Sequence, residues 1–458
     1  MSAPRLVLCG VEPGPAVALA AGALLAAFAE ERGVRPVLLG ADLPLWRLLH
    51  TLASRAPRVL DPKLVDDAVA GELCQVWEAD VDLTLVVAVE PALDRWEGVE
   101  GSRAVDVAQS LDAPLTLVVD ACDRGASAAA AACGTRMLAD GAEYAGVLVV
   151  GGADPGGDDD LRRLLEESCG LPVLGWIPPR LSGQFVRQYE GGRDGLRLLG
   201  PPPVGGGDAA LCREAAVFLD REGLAAAAAR RGYVPARPRR RLVPSSAAGG
   251  LTLAVAWGPP LEPPMLDAAD MFKAMGVTLA PLQVTRDTGL PEGASGLLIA
   301  GLLDEDRLAA FAANEALKAA LRDAVVAGLP ILALGGGALL LLRRLADGRG
   351  RAYELAGVLP AEAEVLEWYG RPRYVDVVAS PDNPYVSGEL TLCELFDLEF
   401  LTLQQDKSAW RLGGRGEERR AEGFVRGRCL ATTLVPSLPA TPGLAEAFVA
   451  AMRPAPDA

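Results

Sequence analysis

The sequence predicts an α/β protein of two domains built on parallel or mixed sheets. Three observations carry this. Short β-branched runs recur without polar alternation, the pattern of strands buried on both faces. Helix-forming stretches lie between them. A segment rich in Pro, Arg, Ser and Gly then divides the chain into two such series. The 458 residues are 50% hydrophobic with a mean hydropathy of +0.23, which bounds the chain at two or three domains and excludes disorder as its main state.

In chain order, the first strand is expected at residues 5–9 (RLVLC), and residues 17–31, crowded with Ala and Leu, follow as a helix. Further strands are expected at 34–39 (VRPVLL), 83–89 (LTLVVAV), 115–119 (LTLVV), 146–150 (GVLVV) and 172–176 (PVLGW), with helices at 104–111 and 127–138. The run 201–207 (PPPVGGG) breaks the pattern, and 212–231 reads as helix. Residues 235–250 (PARPRRRLVPSSAAGG) read as the interdomain linker. The second series predicts strands at 251–257, 277–281, 296–299 and 330–334, with helices near 264–275 and 307–327. Residues 374–400 and 423–432 look richer in strand, and no short-period repeat is present. The domains are therefore expected at 1–234 and 251–458.

Charge and composition narrow the function. Lys plus Arg number 44 and Asp plus Glu 60, a net charge of −16. That excludes binding of nucleic acid through overall positive charge, and attraction to an anionic membrane. The one histidine, His50, excludes multi-histidine metal sites and histidine catalysis anywhere else. The longest apolar runs, 16–29 and 329–342, fall short of the roughly 20 residues a membrane helix needs. With no leader-like N-terminus, a cytoplasmic location is expected. Eight cysteines stand far apart with no C-x-x-C pair, and are expected as reduced, buried thiols.

A strand, a glycine turn and a helix make the place for a phosphate cradle. Here the turn, residues 10–18, reads GVEPGPAVA. A working cradle needs converging backbone N–H groups, a lysine against the phosphates, and a hydroxyl for Mg²⁺. Gly10 and Gly14 are in place, but Pro13 and Pro15 remove two N–H donors and Glu12 puts a negative charge where an anion would sit.

The whole chain resembles the cobyrinic acid a,c-diamide synthase family. That family joins a P-loop synthetase domain, similar to dethiobiotin synthetase, to a class I glutamine amidotransferase-like domain. It amidates corrin carboxylates with ATP, Mg²⁺ and ammonia from glutamine. Residues 10–18 fall without gaps on the family's G-T-S-S-G-V-G-K-T loop, so Val17 replaces the lysine and Ala18 the threonine. The family's G-P-D stretch resembles residues 40–42, with Asp42 kept and the preceding lysine become Leu38. Its E-G-V-M-G-L-Y-D-G stretch resembles 90–98, with Glu90 kept and Glu97 in place of Asp. The similarity continues through Gly101, Ser102 and residues 105–121, and Val150 stands where the family ends a strand with Asn. Residues 328–337 (GLPILALGGG) resemble the G-L-P-I-Y-A-E-C-G-G elbow, with Gly335 at the nucleophile's position. The G-H-E-F-H-Y segment falls near 392–397, and the terminal glycine-then-V-H-L-H region resembles residues 422–431 and onward to 435–438, both without histidine.

The resemblance therefore implies a frame without its chemistry. Glutaminase activity is expected to be absent, since neither thiolate nor base is present and Cys393 lies on the lost-histidine segment instead of the elbow. Gly10, Gly14 and Val17 mark a degenerate nucleotide loop, and no cofactor is expected, ATP and Mg²⁺ belonging to the ligase alternative alone. Asp42, Glu90 and Glu97 are the carboxylates placed for Mg²⁺. Arg237, Arg239, Arg240 and Arg241 form the densest positive run, suited either to propionate or phosphate groups or to a solvated linker. His50 reads as a surface or half-buried helix residue near a family histidine. The expected role is non-catalytic: a tetrapyrrole-binding protein, or a scaffold for an intact relative or a second copy. The alternative is an ATP- and Mg-dependent ligase that amidates tetrapyrrole carboxylates with free ammonia.

Overall fold

The computed structural model describes residues 3–28, 33–139, 141–153, 159–194, 206–230, 249–256, 263–301, 305–347, 350–403, 406–413 and 420–453. These fall into two compact units, one of residues up to 230 and one of residues from 249. Arg237, Arg239, Arg240, Arg241 and most of the expected linker lie outside the described residues.

The first unit runs β1 (Arg5–Gly10), α1 (Ala16–Phe28), β2 (Val34–Leu39), α2 (Leu43–Leu52), β3 (Arg58–Leu60), α3 (Asp67–Trp77), β4 (Leu83–Ala88), α4 (Ala104–Ser110), β5 (Leu115–Asp120), α5 (Ala126–Leu138), β6 (Tyr144–Val150), α6 (Asp159–Arg163), β7 (Val173–Ile177), α7 (Pro179–Asp194), α8 (Gly206–Ala215) and α9 (Arg221–Ala229). Its seven strands pair in parallel in the order β3-β2-β4-β1-β5-β6-β7. Every residue of β1, β2 and β4 is buried, which is why those strands read as unbroken apolar runs. Arg5 and Arg35 are the charged exceptions. Arg5 is 2% exposed and gives a two-pronged bond to Glu78, at 2.5 and 2.7 Å, and a third to the Leu111 carbonyl. The single helix expected at 212–231 is two, because the Asp220 side chain accepts from Gly223 N at 2.9 Å and starts α9 afresh.

The second unit runs β8 (Thr252–Ala256), α10 (Pro263–Ala274), β9 (Thr278–Leu282), β10 (Gly296–Ala300), α11 (Glu305–Ala312), α12 (Glu315–Val326), β11 (Ile331–Leu334), α13 (Gly336–Leu339), β12 (Arg344–Asp347), β13 (Ala352–Glu354), β14 (Ala361–Ala379), β15 (Glu389–Leu403), β16 (Trp410–Leu412), β17 (Arg420–Glu422), β18 (Phe424–Arg426), β19 (Cys429–Thr432), β20 (Leu434–Val435) and α14 (Pro442–Met452). Six strands form a sheet in the order β18-β19-β11-β10-β8-β9, parallel except for β18. A second, mixed sheet is built on the β14–β15 hairpin. Here too one expected helix, 307–327, is broken. Asn314 caps α12, its Oδ1 accepting from Leu317 N at 3.2 Å while its Nδ2 donates to the Asp287 carbonyl at 2.8 Å.

One expectation about the cysteines is corrected. Cys133 and Cys169 are joined in a disulfide, with Cα atoms 5.0 Å apart and a sequence separation of 36. The coil of α5 carries Cys133 to the turn ahead of β7, a proximity that sequence spacing does not display. Cys122 is half-buried, and the other five free cysteines are buried.

Candidate functional site

In the first unit the glycine turn leaves the C-terminal end of β1 and enters α1. Glycine is required at position 10: a Cβ there would lie 2.5 Å from the Glu12 carbonyl oxygen and 2.9 Å from Val17 Cγ2. Val17 thus folds a methyl group back over the strand end. Gly14 stands exposed, with open space about it. Glu12 forms an ion pair with Arg124, which follows β5, the strand beside β1. The carboxylate raises the pKa of the Arg124 guanidinium. The turn therefore presents a paired acid where a phosphate site needs donors.

Beside it, a cavity of about 420 Å³ opens where β5, β6 and β7 end, lined by Ala121, Cys122, Asp123, Arg124, Gly151, Ala153 and Pro179. Cys122 Sγ lies 3.4 Å from Ser182 Oγ, and burial raises its thiol pKa against that contact. Trp176 Nε1 donates to the Ala153 carbonyl at 2.7 Å and holds one wall. Carboxyl ends of parallel strands are where α/β sheets take their ligands.

Asp42, Glu90 and Glu97 have separate surroundings. Asp42 is 4% exposed and caps α2, accepting from Leu45 N at 2.9 Å. Glu90 is half-buried. Glu97 is exposed at φ 48° in the turn Trp96–Gly98. Among the described residues, no group of three or more His, Cys, Asp or Glu side chains is arranged to hold a metal ion. The loop bearing Glu97 is fixed by Trp96, whose Nε1 donates to Asp61 Oδ1 at 3.0 Å and whose backbone N–H donates to Ser102 Oγ at 2.8 Å. Its ring lies so close to Gly40 (φ 91°) that a Cβ there would stand 2.6 Å from it. His50 is exposed on α2 and stacks on Trp46 at 4.9 Å between ring centroids.

In the second unit β11 ends at Gly335, whose φ of 58° and ψ of −130° make a sharp strand-to-helix turn before α13. Nucleophile elbows pass from strand to helix through a sharp turn of this kind. Gly335 N donates to the Thr432 carbonyl at 3.0 Å. A Cβ at Gly335 would lie 3.0 Å from Val435 Cγ2 and 3.9 Å from Leu395 Cδ1. Gly337 is held just as closely, since a Cβ there would meet the Ile299 carbonyl oxygen at 2.2 Å. Cys393 is buried on β15, paired in register with Val435. Segments 392–397 and 435–438 thus both send an apolar side chain, Leu395 and Val435, toward this turn.

Glu422, which heads the segment similar to the family's terminal region, has a structural role that the resemblance does not assign. Glu422 accepts from Thr432 Oγ1 at 2.7 Å, Thr433 N at 3.0 Å and Thr433 Oγ1 at 2.9 Å, while Trp410 Nε1 donates to Thr432 Oγ1 at 3.1 Å. Burial raises the Glu422 pKa, and the threonine donors pull it back in part. This cluster holds the strand to which Gly335 is bonded. An acid next to a glycine was the available signal, but no spacing rule points from it to the elbow.

No protein-family model matches the chain. It is 30% identical over 491 residues to the hydrogenobyrinate a,c-diamide synthase of Streptomyces coelicolor, covering 98% of each protein. It is 28% identical over 416 residues to the enzyme of that name from Mycobacterium tuberculosis, covering 88% of this chain and 87% of the other. With the cobyrinate a,c-diamide synthase of Dehalococcoides mccartyi the identity is 27% over 467 residues, again 98% of each. Among solved structures, chloroplast FtsY of Physcomitrella patens matches 38% of this chain and 59% of its own at a TM-score of 0.29 and 16% identity.

Proposed function

The chain belongs to the cobyrinate a,c-diamide synthase family, and from that premise we propose that it keeps the family's frame without the family's reaction. It acts as a non-catalytic tetrapyrrole-binding protein, or as a scaffold for an intact relative or a second copy of itself. The observation that carries this reading is the elbow. Glutamine hydrolysis there needs a sulfur to form the acyl intermediate and a base to take its proton. Gly335 has no side chain, the space beside it is filled by Val435, and the chain's one histidine lies in the first unit. Losing nucleophile and base together removes several orders of magnitude of rate. The first loop supports the same reading, because Val17 and Ala18 supply neither ammonium nor hydroxyl and Glu12 with Arg124 closes a charge pair on its rim. Arg237, Arg239, Arg240 and Arg241 supply positive charge for a ligand's carboxylates in this reading.

Three measurements test it. Glutamate release from glutamine is expected at background. Calorimetric titration with ATP and Mg²⁺ is expected to show no micromolar binding. Such binding, followed by ammonia-dependent amidation of a tetrapyrrole carboxylate, would replace the proposal with the ligase alternative. Titration with corrinoids is expected to shift their absorbance, and a missing shift together with a co-purifying protein would leave the scaffold role alone.

A further inference from the structure

The joined cysteines stand between two segments that reach the same cavity. Cys133 lies in α5, which begins just beyond the lining residues 121–124. Cys169 closes the π-helical turn Leu164–Ser168, and from there the chain runs through β7 to Pro179, another lining residue. The two sulfurs differ in access: Cys169 is 4% exposed, whereas Cys133 is half-buried and reachable. The buried free thiols are poor competitors, since burial raises the pKa of Cys9 and Cys212 and pushes Cys429 up to about 12, withholding the reactive thiolate. A second tie backs the crosslink. Arg136 of α5 donates from Nη1 to the Cys169 carbonyl and fills the space beside Gly170 (φ 62°).

We propose that Cys133–Cys169 is a redox-active cystine that sets the mobility of the cavity's walls, with a dithiol as its reductant. A thiolate of the dithiol attacks Cys133 Sγ, the S–S bond breaks, and Cys169 leaves as thiolate. The second thiol of the reductant attacks its own sulfur in the mixed disulfide and releases Cys133. Two electrons pass to the protein, the two thiol protons end on Cys133 and Cys169, and the reductant leaves as a cyclic disulfide.

The test uses the full chain purified in air without reductant. Iodoacetamide labelling read by peptide mass spectrometry is expected to miss both residues before dithiothreitol and to reach both after it. Hydrogen exchange is expected to quicken roughly tenfold on reduction across 121–139 and 169–179. The midpoint of the transition that reports the first unit should fall by roughly 5–10 °C. Cys133→Ser and Cys169→Ser should each reproduce the reduced exchange pattern and abolish its response to dithiothreitol. Labelling of both cysteines before reduction overturns the proposal. So does reduction that quickens exchange beside the two sulfurs yet leaves residues 121–124 unchanged, because the bond would then be a crosslink without influence on the cavity.

Discussion

Glycine at position 335 is held by its backbone and by its neighbours together. At φ 58° and ψ −130° any side chain is strained, and Val435 stands 3.0 Å from where a Cβ would go. Gly335→Cys should therefore cost about 1–3 kcal/mol of second-unit stability and restore no glutamate release, because no base accompanies the thiol. Urea unfolding and a glutaminase assay check both halves, and Val435→Ala in the same chain should recover part of the stability. Glu422 gives a pH prediction. Its folded pKa is raised, so the folded state holds this proton at pH values where the unfolded chain has released it. Stability then falls as pH rises from the ordinary carboxylate range to the raised value, and is flat beyond it. Glu422→Gln should remove that slope, as read from urea midpoints across the window. Arg5 and Glu78 pose the opposite case, a buried pair in which each charge depends on the other. Glu78→Ala should destabilise the first unit by about 3–5 kcal/mol, far more than any exposed pair would.

Element by element, legibility followed burial. The central strands of the first sheet could be read because both of their faces are covered, so polar alternation is lost. β3 was not legible, being three residues long with Arg58 at its head, and neither was β20, whose two residues carry Val435 to the elbow. Helix breaks were missed where one polar side chain overrides good helix formers on both sides. Asp220 and Asn314 are those side chains. Asp220→Ala should cost about 1 kcal/mol. Asn314→Ala should cost more, about 2 kcal/mol, since it also strands the Asp287 carbonyl. Chemical denaturation of the full chain ranks the two, and equal losses would mean the second bond of Asn314 contributes nothing. Contacts set by tertiary structure were out of reach. Glu12 meets Arg124 across 112 residues and Cys133 meets Cys169 across 36, and neither spacing has a local signature. The substitutions proposed at Val17 and Gly335 rest on the family resemblance, which assigns chemistry to position, whereas the neighbours of these two residues carry no signal in the sequence.

For the whole molecule, the proposed reading rests on the depth of the change at each site more than on any single substitution. An elbow with cysteine restored would still face Val435 and Leu395. A first loop with lysine restored would still contain Pro13 and Pro15, which donate no N–H, and Glu12 paired to Arg124. A phosphate cradle works through several donors converging on one anion, so a lone ammonium recovers only a small part of it. Val17→Lys should accordingly leave ATP and Mg²⁺ binding too weak for micromolar detection by calorimetry. Adding Glu12→Ser removes the opposing charge and releases Arg124, and should improve binding measurably, though short of micromolar while both prolines remain. A micromolar Kd in Val17→Lys alone would mean that the turn still offers its backbone donors, and that the protein stands one substitution from nucleotide binding.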